Sequence, residues 1–483
     1  MSQLKKLLNK YHAMKPPVKA ALWFTLCGII QKGISMLSTP IFTRLMTKEQ
    51  YGVFTVYNSW YGVLSILGTM HLYYSAYNNA MTKYPEDRPR ITSSMQGLTT
   101  VLTIVLFGVY CIRPSFWNGL LKLSSLYVLV MFAELLFLPA YSFWAAKERY
   151  DYKYRKLIVT TIIIALGSPL TGVIAVLSTS YKAQARVLSY AFVQICIGLV
   201  FYIYNLYKGK HFFSKKYWKY GLVLGLPLIP HYLSSTVLNH VDRIMINEMV
   251  GTGEAAIYSV AYSVASMMII VTTAIKNTFT PYLYKSLKSE KYDNIRKVSN
   301  MLVIFISFVT CLAMLFGPEI IAILAPKSYR DAVWVIPPVA CAVFFQFLYP
   351  MFSTVEFYYE KTGFILVASC TAALSNLGLN LIFIRIFGYY AAGYTTLFSY
   401  IIYALGHYIF QKHVFRKNTN RKEEVFNSKF ILMIALLLIL VMVGITFLYN
   451  YTIPRYALIV LICIIAFVKK NSIIQFYRTL KEK

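Results

Sequence analysis

Three basic side chains stand where hydrocarbon would be expected to surround them. Lys32, Arg243 and Lys276 fall well inside long apolar stretches of the chain. A charged group at the centre of a bilayer costs at least ~2.5–3.5 kcal/mol on insertion scales, so each needs a water-filled space or a partner. Polar neighbours at helical spacing extend the signal. Lys32, Ser35, Thr39 and Thr43 recur at three and four residues, which places them on one helix face. His231, Ser235, Asn239 and Asp242 share a face in the same way, with Arg243 at its margin. Asn58, Tyr61 and Ser65 form another stripe, and so do Thr273, Lys276, Asn277 and Thr280. Gln346, Tyr349, Ser353 and Glu356 make a further one. Several such stripes facing one another would line a hydrophilic lumen. Basic groups dominate its deepest positions, so its cargo should be an anion. A diphosphate fits, because Lys offers a point charge and Arg a planar fork.

Each of these residues also has a plainer reading. Lys32 would have to snorkel a long way to reach the interface. Arg243 could lie near the external end of its span and pair with a carboxylate. Tyr61 could stack on sugar rings or belong to an interfacial aromatic belt. Asp242, Glu134, His231 and His71 are candidates for carrying a coupling ion, with structural hydrogen bonds as the alternative for each. The seven cysteines contain no CxxC pair and lie in or beside apolar segments, as small buried residues do. No metal-ligand cluster, phosphate-cradling glycine loop or nucleophile triad is present in the sequence, so neither an enzyme nor a resident cofactor or metal is expected.

The elements that position these residues follow from composition. The chain has 483 residues, 58% hydrophobic and 14% charged, with a mean hydropathy of +0.56. Soluble domains carry about a quarter charged residues, so the bilayer is the solvent for most of this chain. The net charge of +30 falls in short clusters between apolar segments. That placement fits membrane topology and excludes a nucleic-acid partner. Fourteen spans are expected, at about 20–44, 51–76, 91–112, 124–146, 157–179, 184–207, 220–247, 254–282, 297–318, 331–356, 363–385, 391–411, 429–449 and 453–468. With both termini cytoplasmic, about 35 of the 48 Lys and Arg lie inside, 10 outside and 3 within spans. Arg186 is counted among the external ten. The first nineteen residues place Leu4, Leu7, Leu8, Tyr11 and Met14 on one face, which suits a helix lying in the interface. Pro40, Pro139, Pro227, Pro230, Pro281 and Pro350 interrupt spans, as bent cavity-lining helices tolerate.

The sequence also repeats itself. Val53-Phe54-Thr55-Val56 aligns with Ile257-Tyr258-Ser259-Val260, Phe137-Leu138-Pro139 with Phe347-Leu348-Tyr349-Pro350, Glu148 with Glu360, and Ser189-Tyr190 with Ser399-Tyr400. The offsets all lie near 204–212 residues, so the first twelve spans read as two six-helix halves. Six is even, so both halves enter from the same side, and the substrate site is expected at their interface near mid-membrane. The expected architecture is an all-α integral membrane protein. Its N-lobe covers 1–208 and its C-lobe 209–413, and residues 414–483 hold two further helices and a cytoplasmic tail.

Leu37-Ser38-Thr39-Pro40-Ile41-Phe42-Thr43-Arg44-Leu45-Met46-Thr47-Lys48-Glu49-Gln50-Tyr51-Gly52 resembles the first-helix motif of Wzx-type O-antigen and capsule flippases. Gly225-Leu226-Pro227-Leu228-Ile229-Pro230 with Val241-Asp242-Arg243-Ile244 is similar to their seventh-helix motif. Asn376 to Ile384, Gly388 and Ser399-Tyr400 are similar to their eleventh and twelfth helices. The motifs recur across the wider superfamily of multidrug exporters and lipid II flippases. The resemblance implies a V-shaped transporter in the cell's inner or plasma membrane. Such a protein moves an undecaprenyl-diphosphate-linked oligosaccharide from the cytoplasmic to the periplasmic leaflet by alternating access. It also implies coupling to a proton or sodium gradient, and a polysaccharide polymerase and chain-length regulator as partners. The family's basic lumen residues carry over to Lys32, Arg243 and Lys276 by position and character. A cation-coupled multidrug exporter and a lipid II-type flippase are the alternatives.

Overall fold

A computed structural model describes residues 16–74, 76–361, 363–419 and 423–468. The interfacial helix expected before residue 16 and the tail beyond 468 lie outside these residues. A long helix occupies each expected span: α1 (Pro16–Leu45), α2 (Lys48–Thr69), α3 (Arg88–Ile112), α4 (Ser125–Tyr150), α5 (Tyr154–Leu177), α6 (Lys182–Gly209) and α7 (Lys215–Met249). Then come α8 (Thr252–Lys288), α9 (Tyr292–Leu315), α10 (Ile336–Tyr358), α11 (Gly363–Phe387), α12 (Tyr390–Thr419), α13 (Ser428–Leu448) and α14 (Thr452–Val468). Among the described residues, eleven helices are long and apolar enough to cross a membrane. The three others are α2, α12 and α14. Helix α2 is diluted by Asn58, Ser59 and Ser65, and α12 by His407, Gln411, His413, Arg416 and Lys417. The chain is thus a multi-pass, all-helical membrane protein.

Local chemistry sets several boundaries. Thr47 caps α2 in a reciprocal pair with Gln50: the Gln50 amide donates to Thr47 Oγ1 at 3.3 Å, and the Thr47 amide donates to Gln50 Oε1 at 3.0 Å. The second span is shorter than its apolar run suggested. It stops at Thr69, because Met70 and His71 turn left-handed with φ of 51° and 45°. His71 therefore sits in a turn beyond the helix. In α7, Pro227 and Pro230 remove two backbone donors, and a 3-10 turn at Leu226–Leu228 divides the helix.

The packing pattern repeats. Among the first six long helices, α4 and α5 pack on α6, α1 on α5, and α2, α3 and α4 on one another. Among the next six, α10 and α11 pack on α12, α7 on α11, and α8, α9 and α10 on one another. The two sets meet through α2 against α7 and α8, and through α1 against α8. Helices α13 and α14 attach to α9, and α13 also to α10. The turns after α4 and α10 fix the register. Tyr152 and Glu360 are both left-handed, at φ 57° and 58°, and each follows a helix-ending carbonyl bond, Lys153 to Glu148 and Lys361 to Glu356. The structural counterpart of Glu148 is therefore Glu356, one helical turn before the Glu360 expected from the sequence match. The same offset sets Pro139 against Phe347, one turn from Pro350.

Candidate functional site

Helices α1, α2, α5, α6, α7, α8 and α10 enclose a cavity of about 720 Å³. One end of it is sealed by contacts at the ends of α1 and α2. Gly52 of α2 lies so close to α8 that a Cβ there would overlap the Thr252 carbonyl. Thr43 Oγ1 donates to the Leu324 carbonyl at 2.8 Å, and Arg44 reaches the Ala322 carbonyl at 3.3 Å. Lys122 and Glu248 pair at 3.6 Å on the same side. Towards the other side the wall opens along α1, where Gln31 and Lys32 are exposed and Gly28 and Gly33 face open space.

Three full cations line this cavity: Lys32, Arg186 and Arg243. Hydroxyls and amides make up much of the remaining wall, including Ser35, Thr39, Asn58, Gln194, Asn239, Ser259, Ser263 and Gln346. None of the 28 lining residues is Asp or Glu. Lys32 has no ion-pair or hydrogen-bond partner among the described residues. Arg243 Nε donates to Ser259 Oγ at 3.1 Å, its Nη1 donates to the Asn239 carbonyl at 2.6 Å, and its guanidinium lies 4.4 Å from the Tyr262 ring centroid. It makes no ion pair with a carboxylate among the described residues, so the carboxylate pairing considered from the sequence is not found.

Lys32, Arg243, Asn58 and Asn239 thus lie together, as the stripes suggested. Lys276 lines a smaller adjoining cavity of about 110 Å³, which shares Ile269 and Gln346 with the main one. Tyr61 is half-buried and packs against the central apolar core rather than lining the cavity. The common face expected for Asn239 and Asp242 is corrected. Asn239 and Arg243, four residues apart, face the cavity, whereas Asp242 points into the helices behind it. There the buried Asp242 accepts from Tyr258 at 2.5 Å, Asn380 at 2.7 Å and Thr396 at 2.7 Å, drawing on α8, α11 and α12. Glu134 is fully buried and accepts from Tyr57 at 2.8 Å. His231 meets Ser369 at 3.1 Å, and the His71 ring lies 3.5 Å from Ser65.

Among the basic side chains of the cavity wall, two escaped sequence reasoning. His240 lies on the Arg243 face three residues earlier. Arg186 was assigned to an external connection by charge counting. It is 5% exposed, sits one turn inside α6 and lines the cavity. Its distance from the expected start of the sixth span was the available signal, since residue 186 already fell inside 184–207.

The geometry makes a polar, positively charged pocket with one sealed end, suited to holding an anion inside a membrane. A family model described as polysaccharide biosynthesis protein matches residues 18–287. The chain is 33% identical over 85 residues to the Lsg locus putative protein 1 of Haemophilus influenzae, an alignment covering 18% of this chain and 21% of that protein. Among solved structures, the lipid II flippase MurJ in an inward closed conformation superposes with a TM-score of 0.69 at 14% identity, covering 94% of this chain and 100% of that one. An inward-facing multidrug resistance MATE family transporter of the MOP superfamily gives 0.63 at 12% identity, covering 83% and 100%. A MOP superfamily transporter from Pyrococcus furiosus, described by the reverse polarity of its binding pocket, gives 0.58 at 12%, covering 83% and 97%. These structures share the fold.

Proposed function

Because the chain belongs to the polysaccharide biosynthesis protein family, we propose that it is a flippase for undecaprenyl-diphosphate-linked oligosaccharide repeat units of a surface polysaccharide such as O-antigen or capsule. One observation carries this reading: a cavity within the bilayer lined by three cations and no carboxylate. In a low-dielectric wall, uncompensated cations attract an anion far more strongly than surface charges do. The diphosphate and sugars would enter this passage while the lipid tail stays in the bilayer.

The repeated packing of α1–α6 and α7–α12 supports two lobes, 1–208 and 209–413, with fourteen spans in all and both termini in the cytoplasm of an inner or plasma membrane. The sealed end then faces the periplasm, and the cavity opens towards the leaflet where lipid-linked sugars are assembled. Alternating access would open the α2–α8 contact and close the gap beside α1. The Asp242 carboxylate, joined to α8, α11 and α12 by three hydrogen bonds, is positioned to couple that motion to a proton or sodium gradient. A polymerase and a chain-length regulator would act on the product. No covalent step is needed, so the protein is not an enzyme.

Lys32→Ala and Lys276→Ala, singly and together, test the reading in a strain whose own gene is deleted. Surface polymer should fall while protein level holds. Normal polymer from the double variant would sink the cationic-passage assignment. A cation-exporting drug antiporter would instead raise drug resistance on overexpression, and the acid-free cavity wall argues against it.

A further inference from the structure

Arg186 is an unusual group to bury. Gly172 of α5 makes room for it, since a Cβ there would strike its Nη1. Its guanidinium is flanked by Phe42 at 3.9 Å and Phe54 at 4.0 Å from the ring centroids. Among the described residues it has no carboxylate partner, Nε has no partner at all, and Nη1 reaches the Ser168 carbonyl only at 3.5 Å. A buried donor left unmatched is costly, so the site is built for an acceptor it does not itself contain. The rings supply no acceptor, and the edge of a guanidinium pairs in plane with a planar oxyanion.

Depth decides which oxyanion. Arg186 lies four residues from the start of α6, and Arg243 six from the end of α7, both at the sealed side. At 1.5 Å per residue those are about 6 and 9 Å from the helix ends. Lys32 is thirteen residues from the end of α1, about 20 Å from the same boundary. Lys276 is twenty-four residues from the start of α8, about 36 Å away. In this conformation a diphosphate tethered to a lipid on the open side stays near the two lysines. What reaches the two arginines is the sugar. We propose that Arg186, with Arg243 beside it, reads a carboxylate carried by the glycan itself, so that the repeat unit contains a uronic acid. Arg186 is then a specificity-determining residue, and the inference rests on the flippase reading above.

The test uses the full chain in proteoliposomes with two probes. They are undecaprenyl-diphosphate trisaccharides ending in glucuronic acid or in glucose, and appearance of glycan on the far face is followed with a membrane-impermeant glycosidase. Wild type should move the acidic lipid at least about tenfold faster than the neutral one. Arg186→Gln should collapse that ratio towards one, and Arg186→Lys should restore part of it, which a merely structural role would not do. Equal wild-type rates, or an unchanged ratio in Arg186→Gln, overturns the inference while leaving the flippase reading intact. If wild type moves neither lipid, that reading fails and takes the inference with it. The wild-type ratio decides the question even if a variant does not fold.

Discussion

Gly52 of α2 and Thr252 of α8 approach so closely that the backbone of one occupies the space a side chain would need on the other. This contact joins the first six long helices to the next six at the sealed end of the cavity. A glycine is required there for room, since it lies within a regular helix. Any opening of the cavity on that side requires this contact to separate.

Gly52→Ala should therefore bias the protein towards opening at that end. Overpacking costs about 1–3 kcal/mol, and a bias of that size shifts a two-state equilibrium about 5–150-fold. Ser259 lines the cavity, so Ser259→Cys reports on access. Labelling by a membrane-impermeant maleimide from the far side should rise severalfold when Gly52→Ala is added. Unchanged labelling would mean that this contact does not gate the cavity.

Lys32 is the exposed cation beside the opening, and its effect should depend on charge. Hydrogen bonds to charged groups contribute about 1.5–3 kcal/mol, so Lys32→Ala should slow flipping roughly tenfold or more. Lys32→Arg should retain much of the rate, and Lys32→Glu should abolish it. A rate for Lys32→Glu equal to that of Lys32→Ala would show that charge at this position is irrelevant. The measurement is the initial rate in proteoliposomes at fixed protein density.

Asp242 is held by donors from three other helices. Asp242→Asn keeps the shape but replaces the charged acceptor with an amide, leaving donor facing donor at about 1–3 kcal/mol. The expected outcome is loss of any dependence of transport on an imposed proton or sodium gradient, with cargo binding retained. If the variant still responds to the gradient as wild type does, coupling lies elsewhere.

Arg455 of α14 is buried and grips Glu319, its Nη1 at 2.7 Å from Oε2 and its Nη2 at 2.6 Å from Oε1. Glu319 lies on the short helix Gly317–Leu324 outside the spans. Burial pushes its carboxyl up, but the hydrogen bonds from Arg455 and Tyr456 outweigh this and hold it below its ordinary range. A carboxyl whose folded pKa is depressed adds stability above its unfolded pKa of about 4.3. That contribution is lost as pH falls through the lower folded value. Glu319→Gln breaks a half-buried, charge-assisted pair and should lower stability by about 1–3 kcal/mol. Thermal unfolding in detergent from pH 7 down to pH 3 checks both claims: wild type should lose Tm at the acid end, and the variant should start lower and lose less.

The repeat shows how far short matches carry. Their common offset suggests two related sets of helices, and the two sets share one packing pattern. They missed the register by one turn at Glu148 and Pro139. A single helical turn preserves the facing of a residue, so sequence similarity barely penalises the slip. The turns at Tyr152 and Glu360 settle it, because a left-handed residue ends a helix at one position only.

The sequence alone determined the solvent, the helical content and the presence of cations within the spans. Long apolar runs have only one stable form in a bilayer, and cations within them need water or a counter-charge. What only the tertiary structure decided is which side chains share one cavity. Lys32 and Arg243 do, Lys276 lies next door, and Arg186 joins them although charge counting had placed it outside. Asp242 turns away from Asn239 although the two lie three residues apart. A helix face is about 100° wide, and the angle at which neighbouring helices cross selects which part of it meets water. That angle is set by contacts between residues hundreds of positions apart, such as Gly52 with Thr252 and Asp242 with Asn380 and Thr396.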